Sequence, residues 1–212
     1  MKSSYSISIK RAIDFLFSLF LLIVFLPILV IISILIKLKL GNPILFTHTR
    51  PGLNGQPFKM IKFRTMTNEK DDYGQLLPNH RRRTKFGDFL RKASIDELPG
   101  LLNVLKGEMS LVGPRPLEMR YMQYYTDYQN QRHNVKPGIT GWAQVNGRNA
   151  ISWEQKFEYD IWYVNNISFL LDLKIIFLTF FKVLSSKGVN ADEMNTVIPF
   201  DVYLMNKKGQ QS

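Results

Sequence analysis

Asp96 and Glu97 stand side by side in Ala93-Ser-Ile-Asp-Glu-Leu-Pro99. Two adjacent carboxylates ahead of a leucine-spaced segment admit more than one chemistry. At a helix N-terminus the dipole and the free backbone N–H groups hold a carboxylate ionised. An ionised aspartate in a place that also attracts phosphate can act as a nucleophile on phosphorus. Alternatively, the pair can hold a divalent cation, which takes oxygen ligands and bridges substrate phosphates. The competing reading is structural, because Ser94-x-x-Glu97 is the capping-box pattern that opens a helix. Pro99 weakens it: with Ser94 as N-cap the proline falls inside the new helix, where its missing N–H costs a bond. The turn is expected to be irregular, or the helix to start later.

A cationic set suits the same phosphate: Lys62, Arg64, Arg91, Arg115 and Arg148. Arginine forks match phosphate oxygens bidentately. Pro114 and Pro116 fix the backbone around Arg115 and aim it at low entropic cost. A single arginine is ordinarily a solvated surface group, so the weight rests on the glycine and proline framing. Arg81-Arg-Arg83 has no such frame and reads as a solvated or lipid-headgroup patch. His48, His80 and His133 have no metal-ligand spacing and no serine partner, so they are assigned no chemistry. Neither a Walker A sequence nor GxGxxG after a strand is present. Tyr121, Tyr124, Tyr125 and Tyr128 recur at helical spacing, with Trp142, Trp153 and Trp162 beyond. Core and interface packing is the first reading of these aromatics, with base stacking or an interfacial belt as the alternative.

The element that must place this chemistry is an apolar run, 22 residues from Phe15 to Ile36 with no charged side chain and Pro27 inside it. A straight helix of that length reaches about 33 Å, enough for a bilayer core of about 30 Å. It is too long for a cleaved signal peptide and is followed by Lys37-Leu-Lys-Leu, so a permanent anchor is expected. Basic residues flank it on both sides: Lys2, Lys10 and Arg11 before, Lys37 and Lys39 after. A simple crossing concentrates them on one side. A helix kinked near Val24 to Pro27 that enters and leaves by the same face satisfies both flanks, and a bent spanning helix is the alternative.

Beyond Gly41, two β-rich runs around Asn54-Gly55 read as a hairpin. Thr67 to Pro78 reads as a polar loop, and the Leu98, Leu101, Leu102, Leu105 spacing as a helix stopped by Gly107. Leu117 to Arg132 is expected to be helical, and Lys136 to Arg148 a glycine-punctuated loop. Helices are expected at Trp153 to Val164 and Leu171 to Leu184, the second lying in the core or flat at the lipid interface. The organisation expected is a membrane anchor over 1–40, a catalytic domain over 41–185 and a tail over 186–212 that is weakly patterned.

The net charge is +11, and the first 40 residues hold five basic and one acidic group, leaving 23 and 16, or +7, for the rest. Such a surplus favours anionic partners such as headgroups, nucleotides and phosphates. The absence of cysteine excludes disulfides, thiolate metal sites and a cysteine nucleophile. An alternative class, a membrane-tethered module binding nucleic acid or anionic lipid, is opposed by the 16 acidic groups and the lack of any nucleic-acid motif.

Long motifs then carry a resemblance. They are Lys10-Arg-x-x-Asp14, Arg50-Pro-Gly, Lys62-Phe-Arg-Thr-Met66, Ser94-Ile-Asp-Glu-Leu-Pro99, the segment from Leu102 to Pro116 and that from Lys136 to Arg148. With these the chain resembles the bacterial sugar transferases, monotopic polyprenyl-phosphate phosphoglycosyl transferases, over residues 8 to 185. The compact length, with Asn149-Ala-Ile-Ser-Trp153 and Phe157-Glu-Tyr-Asp160, is similar to the small members that handle N,N′-diacetylbacillosamine phosphate in protein glycosylation.

The resemblance implies an α+β, monotopic fold: a kinked re-entrant helix, a small β-hairpin and several interfacial amphipathic helices. It implies that UDP-sugar and undecaprenyl phosphate give polyprenyl-diphospho-sugar and UMP, at the cytoplasmic face of a bacterial inner membrane among its lipids. By resemblance Asp96 attacks the β-phosphorus to form a covalent phosphosugar intermediate. Glu97 assists through Mg2+ or a proton, Asp96 and Glu97 are the metal candidates, and Lys62, Arg91, Arg115 and Arg148 line the phosphate and nucleotide site. A UDP-hexose donor in capsule or exopolysaccharide synthesis is the alternative within the family. No nucleic-acid partner is expected, and whether the chain forms a homo-oligomer stays open. One departure stands out: where the family breaks its anchor at Ser-Pro, this chain has Leu26-Pro27. No hydroxyl there can satisfy the carbonyl that the proline frees.

Overall fold

The computed structural model describes residues 7–147, 150–185 and 198–209. Helix α1 (Ile7–Leu40) carries the apolar run through Pro27 without interruption of helical structure. Among the described residues it is the one helix long and apolar enough to cross a membrane. Its middle is mostly exposed, with Phe20, Ile23, Leu26 and Ile31 each more than half accessible.

Both ends of α1 are fastened to the same domain. Near the start, Lys10 pairs with Asp172 at 2.6 Å, and Arg11 donates to the carbonyls of Val104 and Leu105. Asp14 accepts from the Ser110 hydroxyl at 2.7 Å and from the Leu111 N–H at 3.2 Å. Near the finish, Ile36 and Leu40 pack with Phe63 and Leu90. There Arg64 donates to the carbonyls of Leu40 and Asn42, groups that a helix end leaves without partners. Arg64 therefore leaves the cationic set proposed for phosphate: it is buried and caps the C-terminal end of α1.

The hairpin forms as expected. Strand β1 (Leu45–Pro51) pairs antiparallel with β2 (Pro57–Phe63), Leu45 opposite Phe63. Asn54 and Gly55, at φ 54° and 74°, take the left-handed conformations such a tip requires. Helices α2 (Asn79–Arg82), α3 (Lys85–Lys92) and α4 (Leu101–Lys106) follow, and Gly107 at φ 83° ends α4. Asn103 of α4 is wholly buried. Its side chain accepts from the Ile61 N–H at 2.9 Å and donates to the Lys59 carbonyl at 2.8 Å, docking α4 on the edge of β2.

Strand β3 (Ser110–Val112), helix α5 (Asp127–Asn130) and strand β4 (Gly138–Thr140) come next, β3 and β4 pairing in parallel. Helices α6 (Trp142–Asn146), α7 (Trp153–Asn165), α8 (Phe169–Ser185) and α9 (Phe200–Gly209) complete the described chain. The main core joins Phe58 and Met60 of β2, Val104 of α4, Leu111 and Val112 of β3, Tyr163 of α7 and Ile175 of α8. Helix α8 exposes Leu170, Leu173, Phe177 and Phe180 while burying Ile175, the pattern of a helix lying at an apolar interface.

Three local expectations change. The single helix over Leu117 to Arg132 is instead a 3-10 segment, Met119–Tyr124, then α5, then a second 3-10 segment, Gln131–Asn134. Extended Tyr125 interrupts the first, and a capping box between Thr126 and Gln129 restarts the chain. The tyrosines consequently do not form one stripe: Tyr121 is buried, and Tyr124 and Tyr128 are exposed. The segment Lys136 to Arg148 is not simply a loop, since it contains β4 and α6. Its glycines serve close packing: a Cβ on Gly138 would lie 2.1 Å from the Gly113 nitrogen, and one on Gly141 2.1 Å from the Gly113 carbonyl oxygen. In Arg81-Arg-Arg83, Arg82 donates to the Leu77 carbonyl and Arg83 pairs with Asp88, so only Arg81 fits a solvated patch.

Of the expected tail, 186–197 lies outside the described residues. Phe200 of α9 is buried against Tyr121, Trp153 and Phe157, worth about 2 kcal/mol of apolar burial.

Candidate active site

Pro99 decides the path of the carboxylate segment. Ile95–Gly100 is a 3-10 turn, Ser94 sits in the left-handed region (φ 55°, ψ 19°), and its side chain makes no capping bond. The capping box is absent and α4 starts only at Leu101. The adjacent acids are thereby treated differently. Glu97 receives both forks of Arg115, at 2.6 and 3.3 Å, and the Lys62 ammonium at 2.8 Å. Asp96 has no hydrogen bond or ion pair to any described residue.

Electrostatics follow the partners. Burial alone would push Glu97 up, but Arg115 and then Lys62 outweigh it and hold the carboxyl well below the usual range. For Asp96, burial and then the charge of Glu97 lift its pKa to about 6, against the pull of Lys62, Arg115 and Arg91. At neutral pH the site contains one carboxylate locked in a salt bridge and one ionised without a partner.

The supporting layer is ordered. Arg115 is held at its backbone carbonyl by Arg132 at 2.7 Å, and Arg132 pairs with Asp160 at 2.7 Å, both side chains nearly inaccessible. Arg91, on α3, pairs with Asp88. Lys62, Arg91, Arg115, Asp96 and Glu97 all line one polar cavity of about 390 Å3, together with Arg50, Glu118, Trp153 and Lys156. Five of the six residues singled out from the sequence as catalytic or phosphate-binding thus meet in one cavity: Lys62, Arg91 and Arg115 as cations, with Asp96 and Glu97 as the acids. Arg148 lies outside the described residues.

A second, apolar cavity of about 330 Å3 adjoins the first, bordered by Phe17 and Leu21 of α1 and by Ile176, Thr179 and Val183 of α8. Ser94, Glu97, Arg115 and Gln144 line both cavities, whereas Asp96 lines only the polar one.

As a metal centre the donor set is thin. Among the described residues no three His, Asp or Glu side chains converge, and both oxygens of Glu97 are engaged by Arg115. Asp96 can offer a ligand to a divalent cation that arrives on substrate phosphates, the usual mode of Mg2+. Among the described residues an all-protein cage is not formed.

Sequence reasoning gave no site role to Gln144, Lys156, Arg132, Asp160 or the Arg50–Glu118 pair. Lys156 and Asp160 were findable, four residues apart on one helix. Gln144, whose buried amide has no partner among the described residues, and Arg132 carried no local signal.

Comparison with known proteins agrees with this architecture. The family model for bacterial sugar transferases matches residues 5–186. The chain is 59% identical over 181 residues to the uncharacterized sugar transferase EpsL of Bacillus subtilis, covering 85% of this chain and 90% of that one. It is 41% identical over 190 residues to the UDP-glucose:undecaprenyl-phosphate glucose-1-phosphate transferase of Escherichia coli, covering 85% of this chain but spanning only 41% of that protein. It is 37% identical over 196 residues to the exopolysaccharide production protein ExoY of Rhizobium meliloti, covering 84% of this chain and 87% of that protein. The chain belongs to the bacterial sugar transferase family.

Proposed function

We propose that this sugar transferase moves a sugar-1-phosphate from a UDP-sugar to undecaprenyl phosphate and releases UMP. The observation that carries this reading is the meeting of a cationic cavity and an apolar cavity at Glu97 and Arg115, beside the unpartnered carboxylate of Asp96. A diphosphate donor fits the first cavity, and a lipid phosphate entering between α1 and α8 fits the second.

In the first step an Asp96 oxygen bonds to the β-phosphorus. The bond from that phosphorus to the bridging oxygen breaks, and its electron pair leaves with UMP. Arg91, Lys62 and Arg115 face the charge that builds on the phosphoryl oxygens, where fixed donors are most effective. In the second step an oxygen of the lipid phosphate bonds to the same phosphorus and the Asp96 carboxylate is regenerated. Glu97 holds Arg115 and Lys62 in place throughout. A bound Mg2+ would supply further charge neutralisation at the phosphates.

The fastening of both ends of α1 to one domain supports the re-entrant reading, with the domain on the cytoplasmic face of the inner membrane. The donor follows two leads. The motif resemblance favours UDP-N,N′-diacetylbacillosamine or another UDP-acetamido sugar for protein glycosylation. The named relatives favour a UDP-hexose for exopolysaccharide. UMP release from a panel of these donors separates the two.

The covalent step is tested by intact-mass analysis after mixing with the active donor. A phosphosugar adduct on the wild type, and neither adduct nor turnover in Asp96→Asn, is the expected result. An Asp96→Asn protein that still turns over would overturn it.

A further inference from the structure

Lys156, on α7, lines the polar cavity with Asp96, Arg115 and Trp153. Every other cation lining that cavity has a carboxylate partner: Arg50 has Glu118, Lys62 and Arg115 share Glu97, Arg91 has Asp88 and Arg132 has Asp160. Lys156 has none within ion-pair distance among the described residues. Its ammonium instead lies 4.1 Å from the centre of the Trp153 ring, and that ring is fixed by its own N–H to the Ile198 carbonyl at 2.9 Å. Burial lowers the pKa of Lys156 to about 8, against the charge of Asp160. A half-buried ammonium on a cavity wall that forms no ion pair with a described residue favours an anionic ligand beside it.

Lys156 and Asp96 line the same cavity as Arg115, but the other fixed charges acting on them differ: Glu97, Lys62 and Arg91 on Asp96, and Asp160 and Arg132 on Lys156. A ligand with two linked phosphates offers one to the Asp96 end of this set and the other to Lys156. Resting on the transferase reading above, we propose that Lys156 binds the nucleotide's own phosphate, the one that departs with the nucleoside, in the same cavity as Asp96.

The test is the affinity of the full-length protein for UMP and for uridine, in wild type, Lys156→Met and Lys156→Gln. UMP is expected to bind the wild type more tightly than uridine. Both variants are expected to lose about ten- to a hundredfold for UMP, the range of a charge-assisted hydrogen bond, with uridine unchanged. Equal loss for uridine in both variants would assign Lys156 to packing and overturn the proposal. So would UMP affinity that matches the wild type, or a wild type that binds UMP no better than uridine. The measurement needs no turnover. Failure of the protein to release UMP from any UDP-sugar would sink the transferase reading, while a loss confined to UMP would still assign Lys156 to phosphate.

Discussion

The two cavities that meet at Glu97 and Arg115 are close in size, about 390 and 330 Å3, and differ in lining, the first rich in charged side chains and the second mainly apolar. The polar one is walled by charged side chains from β2, α3, α7 and the Pro114-Arg115-Pro116 turn. The apolar one is walled by the long apolar helix α1 and the amphipathic helix α8, with Leu98, Leu101 and Leu111 behind. On the transferase reading proposed above, the difference lets one short turn serve two substrates of opposite solubility. A water-soluble diphosphate needs paired cations on rigid backbone, and a lipid needs a greasy wall that continues into the bilayer. On that reading only the reacting phosphorus must be reached from both, and among the described residues Ser94, Glu97, Arg115 and Gln144 are the ones shared.

Arg115→Ala breaks both cavities at once and carries the largest effect expected of any substitution that leaves Asp96 in place. It removes the fork that holds Glu97 and a donor to the phosphoryl oxygens. A loss of about 10²- to 10³-fold in kcat/KM is expected, equivalent to about 3–4 kcal/mol. Arg115→Lys should recover little, because an ammonium cannot reproduce the planar fork. Measured separately, UMP release and transfer to lipid phosphate should both fall. A fall in only one would show that Arg115 serves a single cavity.

Asp96 lets the polar side be probed alone. Its folded pKa of about 6 lies above the ordinary 3.8, so the fold favours the protonated acid. The stability this group contributes is complete below about pH 4 and is lost as pH rises through 6, a difference of about 2–3 kcal/mol. Asp96→Asn removes the titration. Relative to wild type it should unfold at a higher temperature at pH 8 and at a similar one at pH 4, while being inactive. Because the nucleophile must be ionised, wild-type UMP release should climb through about pH 6. An equal difference in melting temperature at both pH values would mean that the buried acid is not held against its preference.

Much of this was legible in the chain where one residue dictates a local geometry. Asn54-Gly55 announced the hairpin tip, Gly107 the end of α4, and Pro99 the irregular turn that presents Asp96. Lys62, Arg91 and Arg115 were singled out by framing turns and the motif resemblance, and the fold brings them to one cavity. What stayed hidden depends on tertiary neighbours. Arg64 carries the same sequence signal as Lys62, and period two would keep both on one face, yet Arg64 falls just past the end of β2 and turns to the carbonyls of Leu40 and Asn42. Arg132 sits in a segment whose helical spacing proved illusory, and its role behind Arg115 exists only once Asp160 folds over it. The apolar cavity was invisible for the same reason: α1 and α8 are distant in sequence, and nothing local says that they border one space.

The apolar side alone is addressed by Ile176→Trp, the smallest of these effects. Ile176 lies on the α8 wall, is partly buried and borders only the apolar cavity. An indole there fills space that a polyprenyl chain would occupy, while Ile175 keeps α8 in the core. KM for undecaprenyl phosphate should rise about tenfold, or about 1.4 kcal/mol. UMP release on first mixing with the donor should stay within about twofold of wild type, since that step draws only on the polar cavity. If the burst of UMP falls as far as lipid transfer does, the two cavities act as one, and the division of labour drawn from their linings fails even though Asp96 could remain the nucleophile.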